Sequence, residues 1–352
     1  MPKEIIFTGI KQVETRKCPK ETITDNKIRV RTIYSAISHG TEMTIYRGIN
    51  PFFNKNIDKN GLFIDGKDNN YRYPFRSGYE QVGEIIEIGK NITEFKVGDR
   101  ITASYGHVSE AVIEPVPHKN QIIPKDVPIE RFVFFALSTV AFDSYLTSKI
   151  RLGENAVIFG LGVVGLLLLN ICKIGGVNPI ICVDHNEDRL KLAKKLGAHF
   201  TLNPKKIDVG LKVKSILPDK LGSDVVFETS GNTIALHNGI RCGAAGYSSL
   251  VATGFYNGDD QGLRLGEEFH HGGSIGKGGC VKILRNNNGL QPAFGRQWDR
   301  LRMAKTIIEL FKLDKMKPEI MITNYFNAAE ASKAYEIIDL EPHKNLKIIL
   351  IF

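Results

Sequence analysis

Between residues 27 and 47, and again between 78 and 116, short runs alternate apolar and polar positions, as in KIRVRTIYSAIS and QVGEIIEIG, with glycines as punctuation. Period two marks strands with one buried face, so these stretches predict a mostly β first region. From Pro128 the period lengthens. PIERFVFFALSTVAFDSYLTSK predicts a Pro-led helix, and strand-like runs (NAVIFG, PIICVD, SDVVFE, SLVATG) then alternate with helical ones (VVGLLLLNICK, EDRLKLAKKLGA). Such alternation predicts a parallel, doubly wound sheet with helices on both faces. Towards the end, WDRLRMAKTIIELF sets Trp298, Leu301, Ile308 and Phe311 on one helical face, NAAEASKAYEII carries Asn327 and Glu330 at capping-box spacing, and KNLKIILIF reads as a strand. Two stretches lack a period. INPFFNKNIDKNGLFIDGKDNNYRY is expected to be a long mobile loop, and HHGGSIGKGGCVK followed by RNNNG is expected to be a boundary or hinge.

Composition adds a size argument: 352 residues are too many for one ordinary core, so two are expected. The apolar share of 42% and charged share of 24% suit a folded soluble chain, and no apolar run is long enough to span a bilayer. The N-terminal MPKEIIFTGIKQVE has no secretory apolar stretch, so a cytoplasmic location is expected. Five cysteines, Cys18, Cys172, Cys182, Cys242 and Cys280, stand singly and are expected to be reduced. The net charge of +9 raises the question of nucleic acid or an anionic surface as partner. The lysines from Lys191 to Lys220 are interleaved with acidic residues and have no aromatic neighbours, which favours a solvated face over nucleic-acid or membrane binding.

Candidate chemistry is densest in AVIFGLGVVGLLLLNICKIGGVNPIICVD. Gly160, Gly162 and Gly165 form G-x-G-x-x-G after one strand and at the start of a helix, with Val163 and Val164 completing the turn. In that context Gly160 allows the tight turn, Gly162 lets the backbone approach a pyrophosphate, and Gly165 lets helix and strand pack closely. Asp184 ends the next strand, where a carboxylate accepts from both ribose hydroxyls of NAD and repels the 2′-phosphate of NADP. Arg189 lies nearby and is the residue that would instead pair with that phosphate, so NAD is expected and NADP is the less favoured cofactor.

With these motifs in order, the chain resembles the medium-chain dehydrogenase/reductase superfamily, the alcohol dehydrogenase-like enzymes, over nearly its full length. G-x-x-x-x-x-G from Gly83 to Gly89 and Gly98-Asp99-Arg100 come first, then the nucleotide fold, then a returning C-terminal segment. The resemblance implies an α/β fold made of a GroES-like β domain (1–124), a Rossmann domain with a parallel sheet (125–283) and a C-terminal segment (284–352) completing the catalytic domain. It implies an active site in the cleft between the two domains. It also implies that Thr139 packs against the nicotinamide and that Lys347 pairs with the pyrophosphate.

Zinc-dependent members of that superfamily carry Gly-His-Glu where this chain has Gly78-Tyr79-Glu80. By the same resemblance the first zinc-ligand position is His39, the second Tyr79 and the third Phe135, which cannot bind a metal, and the four-cysteine structural lobe is missing. No zinc is expected, the residual alternative being a remodelled site from His39, Glu42 or Glu80. The Ser38 to Glu42 pattern S-x-G-T-E and the WDR-led helix are similar to the zinc-free branch that includes bacteriochlorophyllide a dehydrogenase.

Without zinc, another group must polarise the substrate oxygen. A phenol at Tyr79 can donate a hydrogen bond to a carbonyl and, if its pKa is lowered, act as acid or base. The competing reading is a ring that fills the volume of the missing metal. Thr41 and His39 are the candidate proton relays, His39 equally being a hydrogen-bonded residue behind the site. Glu42 and Glu80 are expected to orient their neighbours. His270 and His271, read as strand neighbours, should point to opposite faces and share no metal. Lys277, Arg285, Arg296, Arg300 and Arg302 form a basic cluster, either solvated or facing an anionic group of the substrate.

The expectation is therefore an NAD-dependent, zinc-independent oxidoreductase interconverting a secondary alcohol and a ketone on a small or medium-sized substrate. A quinone or enoyl reductase of the same superfamily and a non-catalytic NAD(H)-binding protein are the alternatives. The superfamily's edge-strand pairing makes a homodimer the expected assembly, although HHGGSIGKGG is a poor strand.

Overall fold

The computed structural model describes residues 1–66, 71–217, 219, 221–244, 246–256, 262–271, 282–285 and 298–352. The chain divides into two compact units, Met1–Ala136 with Lys317–Phe352, and Leu137–Met316. The first opens with the antiparallel pair β1 (Lys3–Gly9) and β2 (Gln12–Lys17), followed by β3 (Ile28–Ala36) and the short helix α1 (Thr41–Tyr46). A hairpin, β4 (Lys55–Ile57) and β5 (Phe63–Asp65), precedes β6 (Gln81–Ile88), β7 (Arg100–Ala103) and β8 (Glu110–Ile113). A 3-10 turn, Ile129–Phe134, leads into α2 (Phe135–Ser148) at the unit boundary.

The second unit alternates β9 (Ala156–Phe159), α3 (Val163–Ile174), β10 (Ile180–Val183), α4 (Glu187–Leu196), β11 (Phe200–Leu202), α5 (Val209–Ile216), β12 (Val225–Glu228), α6 (Thr233–Cys242), β13 (Ser249–Ala252) and β14 (Lys282–Arg285), then α7 (Arg300–Lys312). The chain returns to the first unit with β15 (Ile322–Asn327), α8 (Ala331–Leu340) and β16 (Lys347–Ile351). In the nucleotide unit six strands run parallel in the order β11-β10-β9-β12-β13-β14. β9, β10 and β12 are buried at every position, the pattern of strands covered on both faces.

The main sheet of the other unit has the order β15-β16-β3-β6-β7, with β8 also on β3. β3 is antiparallel to both β6 and β16, pairing Ser35 with Gln81 and with Leu350. The residues just past the end of β3 therefore meet the residues just before β6 and the start of β16. Backbone bonds continue that convergence beyond the strands: Ala36 N donates to Glu80 O at 2.9 Å and Ile37 N to Ile348 O at 3.0 Å.

Several expectations change. The domain limits at 124 and 283 move to 136 and 316, and α7 belongs with the nucleotide unit, whose Phe142 meets Trp298 edge-on at 5.1 Å. The buried seam of α7 is Met303, Ala304, Ile307 and Phe311, so of the four positions expected on one face only Phe311 is fully buried. The expected loop after Ile49 contains the β4–β5 hairpin, held by aromatic contacts that a search for a regular period misses: Phe52 lies 5.5 Å from Phe63 and 5.2 Å from Tyr71. The four described cysteines, Cys18, Cys172, Cys182 and Cys242, are buried thiols outside any disulfide, while Cys280 and most of the glycine-rich hinge lie outside the described residues. Among the described residues, no helix is long and apolar enough to cross a membrane.

Candidate active site

In the nucleotide unit the glycine motif forms the turn between β9 and α3. Gly160 has φ +84°, in the left-handed region that a side chain disfavours, and a Cβ on Gly165 would sit 1.9 Å from the Gly160 carbonyl oxygen. A Cβ on Gly162 would meet nothing within 4 Å, so open space lies where the backbone is expected to approach an anion. Gly162 caps α3 without a side-chain hydrogen bond, leaving the first N–H groups of a 12-residue helix, Val163 and Val164 among them, to an incoming acceptor. These features fit a dinucleotide pyrophosphate.

Asp184 follows β10 and is almost fully buried. Its Oδ2 accepts from Leu161 N at 2.7 Å and its Oδ1 from Asn186 N at 2.8 Å, so the carboxylate ties the glycine turn to the next loop while each oxygen keeps a further lone pair. Arg189 is close enough for Asp184 to oppose the lowering of the guanidinium pKa by burial, so the two residues expected to select the cofactor lie together. Glu228, which sequence reasoning missed, ends β12 and accepts from Ser230 N at 2.7 Å, Gly231 N at 3.0 Å and Tyr256 Oη at 2.5 Å. Burial raises its pKa against those donors. Thr139 lies on the first turns of α2, partly exposed.

In the other unit, the converging strand ends assemble a polar core. The Tyr79 hydroxyl lies 2.6 Å from Ser38 Oγ, with the Thr41 side chain nearby. Burial, and then the charge of Glu80, push its pKa well above the ordinary phenol value, with Ser38 and Thr41 opposing. The condition of a lowered pKa is therefore not met: Tyr79 stays a phenol, able to donate and unable to serve as a resting base. His39 lies half-buried in the turn between β3 and α1.

Beneath Tyr79 lie two buried carboxylates. Glu42 Oε1 accepts from Ser38 N at 2.9 Å, and Oε2 accepts from His107 Nε2 and Tyr335 Oη, each at 2.7 Å. Burial disfavours its charge, but the His107 ring and these donors hold its pKa below the usual carboxylate range. His107 Nδ1 shares a hydrogen bond of 2.6 Å with Ser35 Oγ, which accepts from Gln81 Nε2 at 3.0 Å. Glu80 pairs with Lys347, both fully buried; burial raises the Glu80 pKa to about 7 despite the ammonium. Lys347, expected at the cofactor pyrophosphate, thus has its charge committed inside this unit, with Nζ also donating to Ile37 O at 3.3 Å.

Of the three positions given to zinc ligands, only His39 carries an ordinary zinc-binding side chain. Phe135 offers no donor, the Tyr79 hydroxyl is bonded to Ser38, and the alternatives Glu42 and Glu80 are engaged by hydrogen-bond donors and an ammonium. Among the described residues, the acidic and histidine groups close enough to share an ion are His237, Glu267 and Glu268, and these are met by Arg264 and Arg241. His270 and His271 lie at the end of a helical turn, not on a strand, with ring centroids 4.7 Å apart. Of the basic cluster, Lys277 and Arg296 are outside the described residues, Arg285 ends β14, and Arg302 stacks over the Trp298 ring at 4.3 Å.

Ser38, Ser35, Gln81, His107 and Tyr335 were assigned no role from the sequence. Ser38 was visible as the first letter of S-x-G-T-E; His107 and Tyr335 lie in no motif, and only β-strand register brings Ser35 and Gln81 together.

Comparison with known proteins agrees with this architecture. Residues 24–115 match the family model for the alcohol dehydrogenase GroES-like domain, and residues 163–278 match the model for the zinc-binding dehydrogenase. The D-guloside 3-dehydrogenase of Escherichia coli is 28% identical over 360 residues, covering 99% of this chain and 100% of that protein. The sorbitol dehydrogenase of Bacillus subtilis is 28% identical over 209 residues, covering 51% of this chain and 59% of that one. The crystal structure of 2R,3R-butanediol dehydrogenase from Bacillus subtilis superposes with a TM-score of 0.79 at 17% identity, covering 100% of both chains. The chain belongs to the alcohol dehydrogenase-like, medium-chain dehydrogenase family and is an oxidoreductase.

Proposed function

We propose that the chain is an NAD-dependent, zinc-independent dehydrogenase that interconverts a secondary alcohol and a ketone, with Tyr79 as the proton donor. The observation that carries this reading is the Tyr79 phenol, kept protonated by burial and by Glu80 and hydrogen-bonded to Ser38 Oγ at 2.6 Å, at a position where zinc-dependent relatives carry a histidine. The likeness to proteins named for guloside and sorbitol supports a polyhydroxylated substrate such as a sugar derivative.

The reduced nicotinamide, when bound, supplies the hydride. The glycine turn and the α3 N-terminus bind the pyrophosphate, and Asp184 accepts from the ribose. Tyr79 donates its proton to the substrate oxygen as negative charge develops there, and the Ser38 hydroxyl, 2.6 Å from the phenol, relays a replacement proton that solvent supplies. In the oxidative direction the relay runs in reverse, Tyr79 passing its proton to Ser38 as it takes one from the alcohol, so that no resting phenolate is needed. With His39 the only ordinary zinc-binding side chain at those positions, polarisation of the oxygen falls to this phenol.

The test is a parallel titration of nucleotide-stripped protein with NADH and NADPH, followed by turnover of secondary alcohols and ketones by wild type and Tyr79→Phe. NADH should bind at least about tenfold tighter than NADPH, and Tyr79→Phe should lower kcat by about 10²- to 10³-fold with little change in NADH affinity. Undiminished turnover in Tyr79→Phe would remove Tyr79 from proton transfer, and binding of neither nucleotide would remove the dehydrogenase reading. Chelation should leave the activity unchanged.

A further inference from the structure

The segments that carry Ser38 and Tyr79 are joined by more than the 2.6 Å contact between their hydroxyls. Ile37 precedes Ser38 and Glu80 follows Tyr79, and the same ammonium, Lys347 Nζ, holds both neighbours: the Ile37 carbonyl at 3.3 Å and the Glu80 carboxylate in an ion pair. Lys347 stands at the start of β16, whose antiparallel pairing with β3 delivers it to this place. The ammonium also lies 5.7 Å from the centre of the Phe134 ring, next to Phe135. It therefore touches residues one or two positions from His39, Tyr79 and Phe135, the positions given to zinc ligands.

We propose that Lys347 is a positioning residue for proton transfer: its ammonium clamps the Ser38 and Tyr79 segments together and neutralises Glu80, so that a fixed internal cation supports the acid in this chain. The proposal rests on the reading of Tyr79 as proton donor. Two further observations support it. Glu80 Oε1 is buried with no hydrogen-bond partner among the described residues, so the Glu80 charge depends on Lys347. The neighbouring carboxylate, Glu42, has its own donors and needs nothing from Lys347. An uncompensated carboxylate beside Tyr79 would pull the phenol out of place or take up a proton, and either change alters the hydrogen bond that sets the donor.

The experiment compares wild type, Lys347→Met and the double variant Lys347→Met/Glu80→Gln, reading NADH affinity by nicotinamide fluorescence, kcat, and the 19F spectrum of fluorotyrosine-labelled protein with the Tyr79 signal assigned by its loss in Tyr79→Phe. Lys347→Met should lower kcat by about 100-fold while NADH affinity stays within about twofold, and the double variant should regain about tenfold because no buried charge is left unpaired. The Tyr79 resonance should move in the single variant and return towards its original position in the double one. Loss of NADH affinity with kcat retained would overturn the proposal and place Lys347 at the pyrophosphate, and an unmoved resonance with unchanged kcat would deny it any role. If Lys347→Met does not fold, failure of the double variant to restore the resonance and turnover would equally overturn it. Should Tyr79→Phe prove fully active, the proton-donor reading fails by itself, while the 19F shift still reports whether Lys347 holds the phenol.

Discussion

Both units bury carboxylates at the ends of strands, and they compensate them by different means. In the nucleotide unit, Asp184 and Glu228 are met mainly by backbone N–H groups of adjacent turns, from Leu161 and Asn186 in one case and Ser230 and Gly231 in the other. In the catalytic unit, Glu42 is met by side chains 65 and 293 residues away, His107 and Tyr335, and Glu80 by Lys347, 267 residues away. A carboxylate held by its own loop is specified by a few consecutive residues. One held by distant side chains exists only after the sheet has brought them together. The first arrangement, a cradle of neighbouring residues, can be read from local sequence; the second can be read only from the folded sheet.

The comparison breaks most sharply at Gly165. Its missing Cβ leaves 1.9 Å to a backbone oxygen, which cannot be relieved by a side-chain rotation. Gly165→Ala should destabilise the nucleotide unit by about 4 kcal/mol or more and abolish NADH binding, as read by thermal melting and fluorescence titration. Gly162→Ala, whose added Cβ meets open space, should keep the fold and weaken only the cofactor. If the two variants behaved alike, the cradle would not be a backbone device.

The same contrast explains what could be read from the sequence. The parallel sheet, the glycine turn and Asp184 were legible because period, turn chemistry and capping are local, and each residue's partner lies within one βαβ unit. Tyr79 was legible as an anomaly within a short motif, but its partners were not. Ser38 and Tyr79 lie 41 positions apart, and the Tyr335 contact needs α8 to return over β1, with Phe7 and Tyr335 rings 5.0 Å apart. Lys347 was given to the cofactor by resemblance alone, and nothing in the sequence marks Glu80, 267 residues away, as the partner it pairs with. The hairpin after Ile49 was missed because aromatic contacts between Phe52, Phe63 and Tyr71 stabilise it where alternation is too short to read.

A smaller effect is expected at Glu42, and it sharpens the account of the catalytic unit. Glu42→Gln keeps the shape and removes the charge that His107 and Tyr335 answer, leaving at least one donor facing an amide that presents a donor back. The cost should be about 2 to 4 kcal/mol in chemical denaturation, with NADH affinity unchanged because the cradle belongs to the other unit. A comparable loss of nucleotide affinity would show that the two sets of carboxylates are not independent.

The smallest effect is a pH dependence, and its sign tests which force governs the Glu80–Lys347 pair. Burial raises the Glu80 pKa from 4.5 to about 7, against the pull of Lys347, so the folded chain holds this proton more tightly than the unfolded one. The stability linked to it is fully present below 4.5 and is lost as the pH rises through about 7. Other groups shift in the opposite sense: Glu42 is lowered by the His107 ring and its donors, and burial, followed by the charge of Arg264, lowers the His237 ring, both costing stability on acidification. They remain in Glu80→Gln, so the difference in unfolding free energy between wild type and that variant isolates Glu80. The difference should move in favour of wild type by about 1 to 2 kcal/mol as the pH falls from 8 to 5. A slope of the opposite sign would mean that the ammonium outweighs burial and that Glu80 is ionised throughout, which would make the pair a fixed ion pair and strengthen the clamp on Tyr79.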